Sequence, residues 1–149
     1  MTEFSDAFIV AVGPRVQIRV GITAAEIADC RRRMMPVPRA VELTAILDTG
    51  AECSCIDRAL ARQLGLPLAV LTLANAPGIG QSGASAQREA ELAILHPSAD
   101  TADELRFEGI ELLELDLRSF GYQALIGRDI LAKCEFHYNG PAGTFTLSY

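Results

Sequence analysis

The sequence lacks the features that identify membrane and secreted proteins. No uninterrupted apolar stretch approaches the roughly 20 residues that a membrane-spanning helix requires. The short apolar segment at residues 8–12 follows Glu3 and Asp6, whereas a secretory signal carries a basic segment before its apolar one. We therefore expect a cytoplasmic protein without a membrane partner.

An excess of basic residues is also absent. The chain has 13 Lys and Arg residues against 19 Asp and Glu residues, which gives a formal net charge of −6. A nucleic-acid-binding surface needs clustered positive charge to meet the phosphates. The one dense basic run, Arg31-Arg32-Arg33, is typical of a solvated helix end. We expect no nucleic-acid partner.

The few cysteines and histidines show no metal-binding spacing. Cys53 and Cys55 would share a face of one extended strand but lie too far apart along it for an easy disulfide. A redox or metal role for this pair remains a remote alternative. His96 and His137 have no further ligands nearby in the sequence, and Ser54 lacks the turn of a serine nucleophile. The sequence therefore predicts no metal and no cofactor.

Many short strands separated by turn-forming residues predict a mostly β barrel or sandwich. Half of the residues are hydrophobic, so we expect residues 1–149 to form one domain, with 1–38 as an N-terminal extension that holds a strand and a helix. The other strands are expected at 41–47, 68–73, 86–95, 105–115 and 123–126, followed by a hairpin around the turn at 139–143. Three short helices are expected. The first begins after Thr23 and ends at about Arg33, the second spans 58–64 after Asp57, and the third spans 128–134. Loops are expected at 76–83 and 96–104.

An acidic tripeptide, Asp48-Thr49-Gly50, follows the strand at 41–47 directly. Burying a carboxylate is costly unless it is hydrogen-bonded or protonated. Gly50 has no side chain, so its backbone amide can approach that carboxylate closely. Taken alone, the tripeptide is more typical of an ordinary turn than of a catalytic site.

A second stretch, residues 124–131, is an apolar strand, a glycine and a helix start. Together the two stretches resemble the retropepsins, the dimeric aspartic proteases of retroviruses and their cellular and bacterial relatives. That family carries Asp-Thr-Gly-Ala after an apolar strand and, much later, two apolar residues followed by Gly, Arg and Asp or Asn. The resemblance covers roughly residues 41–134. It implies a closed, barrel-like retropepsin fold with short helices and one lobe per chain.

The resemblance also implies roles for individual residues. Asp48 would be the catalytic carboxylate, and Thr49 would hydrogen-bond across a dimer axis. Gly50 would contact substrate, and Ala51 is the residue that dimeric members favour. The segment Leu125-Ile126-Gly127 would pack behind the active-site loop. The remaining expected site residues are an ion pair of Glu52 with Arg128, for which a solvated arginine is the alternative, and a substrate-binding flap of Gly78, Ile79, Gly80, Gln81, Ser82 and Gly83.

The implied function is an aspartic endopeptidase that works as a homodimer on peptide or protein substrates. The chain has a single Asp-Thr-Gly, so a second copy would supply the second carboxylate. The alternative is a weakly active or inactive dimeric module of the same fold that binds peptides or serves assembly. The N-terminal segment, the loop at 96–104 and the C-terminal hairpin depart from compact viral members, and they leave the details of dimerisation open.

Overall fold

The computed structural model describes residues 1–76 and 81–149. This part of the chain is mostly β, as the sequence predicted. The strands are β1 (Glu3–Ala7), β2 (Arg15–Gly21), β3 (Val41–Leu47), β4 (Cys55–Asp57), β5 (Leu68–Ala76), β6 (Gln81–Ile94), β7 (Leu105–Leu115), β8 (Ala124–Ile126), β9 (Glu135–Asn139) and β10 (Thr144–Ser148). The helices are α1 (Ala24–Arg32), α2 (Arg58–Gln63) and α3 (Arg128–Leu131). None of the described helices is long or apolar enough to cross a membrane.

Six strands close into a barrel. The order of the larger sheet is β2-β3-β8-β4-β7-β6-β5, and an additional pairing of β2 with β6 closes it. The β3–β8 and β4–β7 pairs are parallel, whereas the other pairs are antiparallel. Because β2 pairs with both β3 and β6, the segment expected to be an N-terminal extension supplies a strand of the barrel itself.

A second sheet packs on the barrel in the order β1-β10-β9. The β9–β10 hairpin lies where the sequence predicted it. Strand β1 was not predicted, because only Phe4 of its five residues is buried and its pairing partner β10 lies at the far end of the chain. Phe4, Phe145 and Leu147 join this sheet to the main core inside the barrel.

Two polar side chains begin helices where the sequence predicted them. The Thr23 hydroxyl accepts from the N–H of Glu26 at 3.3 Å, at the start of α1. The Asp57 carboxylate accepts from the N–H of Ala59 at 3.0 Å, at the start of α2. These bonds satisfy amide groups that have no partner within the helix.

The hairpin of β5 and β6 is longer than predicted. Strands were expected at 68–73 and 86–95, with a loop at 76–83, but β5 runs to Ala76 and β6 begins at Gln81. Ala74 pairs with Gly83, and Asn75 pairs with Ser82. The ladder therefore continues into Ser82 and Gly83, which were expected to lie in the loop because they are turn-forming residues. Helix α3 is shorter than predicted and ends at Leu131.

Candidate active site

Asp48 lies at the end of β3, where the chain turns out of the barrel. Its N–H donates to the carbonyl oxygen of Ile126 at 2.9 Å, which continues the parallel β3–β8 pairing by one residue. One carboxylate oxygen, Oδ1, accepts from the N–H of Gly50 at 2.8 Å. The N–H of Ala51 donates to the Asp48 carbonyl at 3.2 Å. The carboxylate is thus held in one orientation while the residue stays half-buried.

The tip of this turn faces outward. Thr49 and Gly50 are exposed, and a Cβ at Gly50 would lie 3.1 Å from Oδ1 of Asp48. That spacing is tight, so glycine keeps the amide close to the carboxylate without a side chain crowding it. The turn therefore presents a fixed carboxylate, a hydroxyl and a bare backbone segment at the surface of the chain.

Strand β8 and the start of α3 support the turn from behind. The N–H of Arg128 donates to the Ala51 carbonyl at 3.0 Å. A Cβ at Gly127 would meet the backbone carbonyl carbon of Cys53 at 2.6 Å, a distance that real side chains do not show. Glycine is required at this position because two backbone segments touch there. Leu125, Ile126 and Gly127 thus lie beside the Asp48 turn.

A polar pair that the sequence did not single out fastens these two segments together. The Ser54 hydroxyl donates to Oδ1 of Asp129 at 2.7 Å and accepts from the N–H of Gly127 at 2.9 Å. The N–H of Ser54 donates to the other oxygen of Asp129 at 3.0 Å. Ser54 is fully buried, so these bonds satisfy groups that would otherwise be costly to bury. Ser54 is a polar residue inside the apolar stretch around Cys55, and a buried hydroxyl must find a hydrogen-bond partner. That position was the signal from which the sequence could have indicated this bond.

The structure pairs Arg128 differently from the expected ion pair with Glu52. The Arg128 guanidinium donates to the carbonyl oxygen of Thr49 at 3.0 Å. Among the described residues, no contact within 4 Å joins Arg128 to an acidic side chain. Glu52 is exposed, so water solvates its carboxylate. An ion pair between two exposed side chains would therefore add little free energy. Arg128 still supports the Asp48 turn, but through a backbone carbonyl.

A second apolar cluster lies beside Asp48, separate from the main core. We call it the outer cluster. Its buried members are Cys55, Leu113, Leu115, Leu117 and Leu125, and its partly buried members are Ile46, Cys53 and Tyr122.

The strand register aligns part of the outer cluster as a row. Ile46 pairs with Leu125, Leu125 pairs with Cys55, and Cys55 pairs with Leu113. Paired residues point to the same face of a sheet, and residues two apart on one strand share that face. The row therefore runs across four strands on the face that Asp48, two residues after Ile46, also occupies.

Two buried carboxylates brace the strands around this row. Asp57, at the end of β4, also accepts from the N–H groups of Leu117 at 3.2 Å and Arg118 at 3.1 Å. Glu114 of β7 meets three arginines, the closest being Arg88 of β6 at 2.8 Å. These partners compensate the cost of burying each carboxylate, so we interpret both as structural.

Other expected residues lie away from this site or outside the description. His96 Nε2 lies 3.1 Å from the Glu3 carbonyl oxygen, and His137 is exposed on β9. Of the expected flap, Gly78, Ile79 and Gly80 lie outside the described residues. Gln81, Ser82 and Gly83 are described only as backbone of β6. Across residues 1–76 and 81–149, no group of three His, Cys, Asp or Glu side chains is placed to hold a metal ion.

Comparisons with known proteins agree with this geometry. A family model described as aspartyl protease matches residues 39–130, which is more than half of the chain and includes both Asp48 and Gly127. The crystal structure of a retropepsin-like aspartic protease from Rickettsia conorii superposes with a TM-score of 0.56 at 15% identity, over 99% of this chain and 90% of that one. A comparison with curated protein sequences finds no match. The protein therefore belongs to the aspartyl protease family and has a retropepsin-like fold.

Proposed function

We propose that this protein is an aspartic endopeptidase whose active site forms between two copies of the chain. The observation that carries the proposal is the Asp48 turn, in which the Gly50 amide holds a half-buried carboxylate at 2.8 Å. The exposed Thr49 and Gly50 leave this turn open to a second copy. Membership of the aspartyl protease family supports the same chemistry.

Two copies are needed because the reaction divides two tasks between two carboxyl groups. Two carboxylates at close range do not both ionise readily, so the pair shares one proton. The ionised member removes a proton from a water molecule as that water attacks the peptide carbonyl. The protonated member donates a hydrogen bond to the carbonyl oxygen and stabilises the developing charge. One chain supplies one Asp-Thr-Gly, and a two-fold axis through the turn would bring the two Asp48 side chains together.

The outer cluster is suited to hold side chains of the substrate. Its row of Ile46, Leu125, Cys55 and Leu113 shares a face with Asp48, so a peptide extended beside the carboxylates would lie along it. Apolar pockets with a few polar groups are typical of ligand sites. We infer a preference for apolar side chains on either side of the cleaved bond.

The hairpin of β5 and β6 is the element suited to cover the bound peptide. Leu68, Val70 and Leu71 of β5 are exposed, although they belong to a strand of the larger sheet. An apolar strand left open in the single chain gains burial when a peptide or a second copy lies against it. We infer that residues 78–83, which follow β5 in the sequence, serve as the flap.

A subunit-mixing experiment tests the shared site. Wild type is incubated with increasing amounts of the Asp48→Asn variant, and cleavage of a fluorogenic peptide is measured at constant total protein. If each active site needs two Asp48 side chains, the rate falls with the square of the wild-type fraction. An equal mixture then retains about a quarter of the rate after random pairing. The Asp6→Asn variant, altered at an exposed β1 aspartate, is the matched control and should leave the rate unchanged.

A linear fall of the rate with the wild-type fraction would contradict the shared site, because each chain would then act alone. Full activity of pure Asp48→Asn would contradict the catalytic role of Asp48. If wild type binds the peptide, measured by fluorescence anisotropy, but never cleaves it, the protein is the inactive peptide-binding module that the sequence left as an alternative.

A further inference from the structure

Cys53 and Cys55 lie together in the outer cluster, at the edge of the proposed active site. Strand β4 begins at Cys55, so Cys53 lies outside the strand. The Cys55 Sγ donates to the Cys53 carbonyl oxygen at 3.4 Å, so the Cys55 side chain folds back over Cys53. Both thiols are free, and the Cys55 sulfur reaches the backbone of Cys53.

The surroundings give the two thiols different reactivities. Cys53 is half-buried, whereas Cys55 is 5% exposed. The hydrogen bond from Cys55 lowers the pKa of the Cys53 thiol from 9.0 to about 7, although burial and the carboxylates of Asp129 and Glu52 oppose this change. The same hydrogen bond and burial raise the pKa of the Cys55 thiol. Cys53 is the accessible thiolate and Cys55 the thiol that keeps its proton.

We propose that Cys53 and Cys55 form a peroxide-sensitive dithiol that closes to an intramolecular disulfide and switches off the site at Asp48. The regulatory part of this proposal rests on the proposed function, whereas the chemistry of the thiol pair does not. The oxidant is a hydroperoxide, and the product disulfide lies within one chain. Thiols reverse the switch by disulfide exchange.

The reaction proceeds in two balanced steps. The Cys53 thiolate attacks one oxygen of the hydroperoxide, a sulfur–oxygen bond forms, the oxygen–oxygen bond breaks, and the departing alkoxide takes a proton to become an alcohol. Cys53 is then a sulfenic acid. The Cys55 sulfur attacks the Cys53 sulfur, the sulfur–oxygen bond breaks, and the departing hydroxide takes the Cys55 proton to become water. Two electrons pass from the two thiols to the peroxide.

The position of Ser54 between the two cysteines connects the disulfide to the active site. A disulfide between residues two apart closes a small ring around Ser54 and changes its backbone geometry. Ser54 holds Asp129 and the N–H of Gly127 at 2.7 and 2.9 Å. Gly127 in turn touches the backbone of Cys53 behind the Asp48 turn. Ring closure therefore displaces the segment that positions the catalytic carboxylate.

The other two cysteines provide controls within the same chain. Cys30, on α1, and Cys134, after α3, both pack against the main core rather than the outer cluster. Burial raises the pKa of the Cys134 thiol. We therefore expect Cys134 to react slowly with peroxide, because the thiolate is the reacting species.

The chemical test is mass mapping of the full-length reduced protein after treatment with hydrogen peroxide and iodoacetamide. The expected product has lost two hydrogens, carries no alkyl group on Cys53 or Cys55, and regains both reactive thiols with dithiothreitol. Cys30→Ser should give the same product. A product in which both Cys53 and Cys55 remain alkylatable, or in which the disulfide joins two chains, would overturn the proposal.

The regulatory test compares peptide cleavage by the reduced, oxidised and re-reduced protein. We expect a loss on the order of a hundredfold on oxidation, since a displacement of about 1 Å at a catalytic group costs that much. The loss should be reversed by dithiothreitol and absent in the Cys53→Ser, Cys55→Ser double variant. Unchanged cleavage by a protein mapped as oxidised would overturn the switch. If the reduced protein cleaves no peptide, the proposed function fails, while amide exchange of residues 124–131 before and after oxidation still decides whether the disulfide displaces this segment.

Discussion

The main core and the outer cluster are built from alternate residues of the same strands. Ala45, Leu47 and Ile126 point into the barrel, whereas Ile46 and Leu125, their neighbours in the sequence, belong to the outer cluster. The main core fills the barrel and continues to the helices and the second sheet that pack on it. The outer cluster is small and borders the Asp48 turn. One set of strands therefore serves stability on one face and, in our proposal, substrate binding on the other.

The proposed site depends on strand register. The outer face of a barrel strand is ordinarily polar, because it meets water. Here the paired positions Ile46, Leu125, Cys55 and Leu113 of four neighbouring strands are apolar and aligned with the Asp48 turn. Substitutions on the inner face should therefore change stability, and those on the outer face should change recognition of the peptide.

The largest expected effect is on the inner face of β8. Ile126 is fully buried in the main core, so Ile126→Ala should lower the free energy of unfolding by about 2–5 kcal/mol through the cavity it leaves. Denaturant titration followed by circular dichroism measures this. Leu71→Ala, at a side chain that is 71% exposed, is the control and should change stability by less than about 0.5 kcal/mol. Equal losses for both variants would mean that β8 is not a core strand.

Gly127→Ala should disturb both faces through the backbone between them. Its new methyl group would lie 2.6 Å from the Cys53 carbonyl carbon, so the backbone that supports the Asp48 turn must shift. We expect this shift to lower the free energy of unfolding by about 1–3 kcal/mol. We expect cleavage to be lost even where the variant stays folded. Gly140→Ala, which meets only the movable Tyr138 ring at 3.1 Å, is the matched control. A Gly127→Ala variant with wild-type cleavage would show that the close contact is not needed.

Leu125→Ala and Leu131→Ala separate the two clusters most directly. Both leucines are 9% exposed, but Leu125 belongs to the outer cluster and Leu131 to the main core. Leu125→Ala should lower kcat/KM for apolar peptides by about 10- to 200-fold, mainly through KM, as expected for a lost hydrophobic contact. Leu131→Ala should lower the melting temperature with little change in KM. The same KM change in both variants would contradict the division of roles.

The smallest expected effect concerns the thiol at the edge of the outer cluster. Because the pKa of Cys53 is lowered to about 7, its thiolate forms as the pH rises through that value. The rate of alkylation by iodoacetamide should therefore reach half of its maximum near pH 7. Cys55→Ala removes the hydrogen bond that lowers the pKa, so the midpoint should move to higher pH. An unchanged midpoint in Cys55→Ala would show that the contact does not control Cys53.

Local patterns in the sequence predicted much of the fold. Alternating apolar residues identified β2 and β3, and the Thr23 and Asp57 caps located the starts of two helices. These elements are decided by neighbours in the chain. Strand β1 was missed because its stability comes from pairing with β10, about the whole length of the chain away.

The proposed site was predicted in part. Asp48, Gly50 and Gly127 were identified from a family resemblance, and the structure places them together. The bond between Ser54 and Asp129 was missed because it joins residues 75 positions apart. The contact of Cys53 with Cys55 was missed because it depends on where β4 begins, which strand periodicity does not define to one residue.

The parallel pairing of β3 with β8 also has a consequence for synthesis. The carbonyl of Ile126 and the amides of Gly127 and Arg128, which fix the turn at Asp48, are made about 80 residues after Asp48 itself. Contacts between distant parts of a chain form slowly, since the loop between them must close first. The nascent chain therefore carries Asp48 in an unfixed loop until residues 126–128 have been made, and the turn acquires its fixed geometry only after that point.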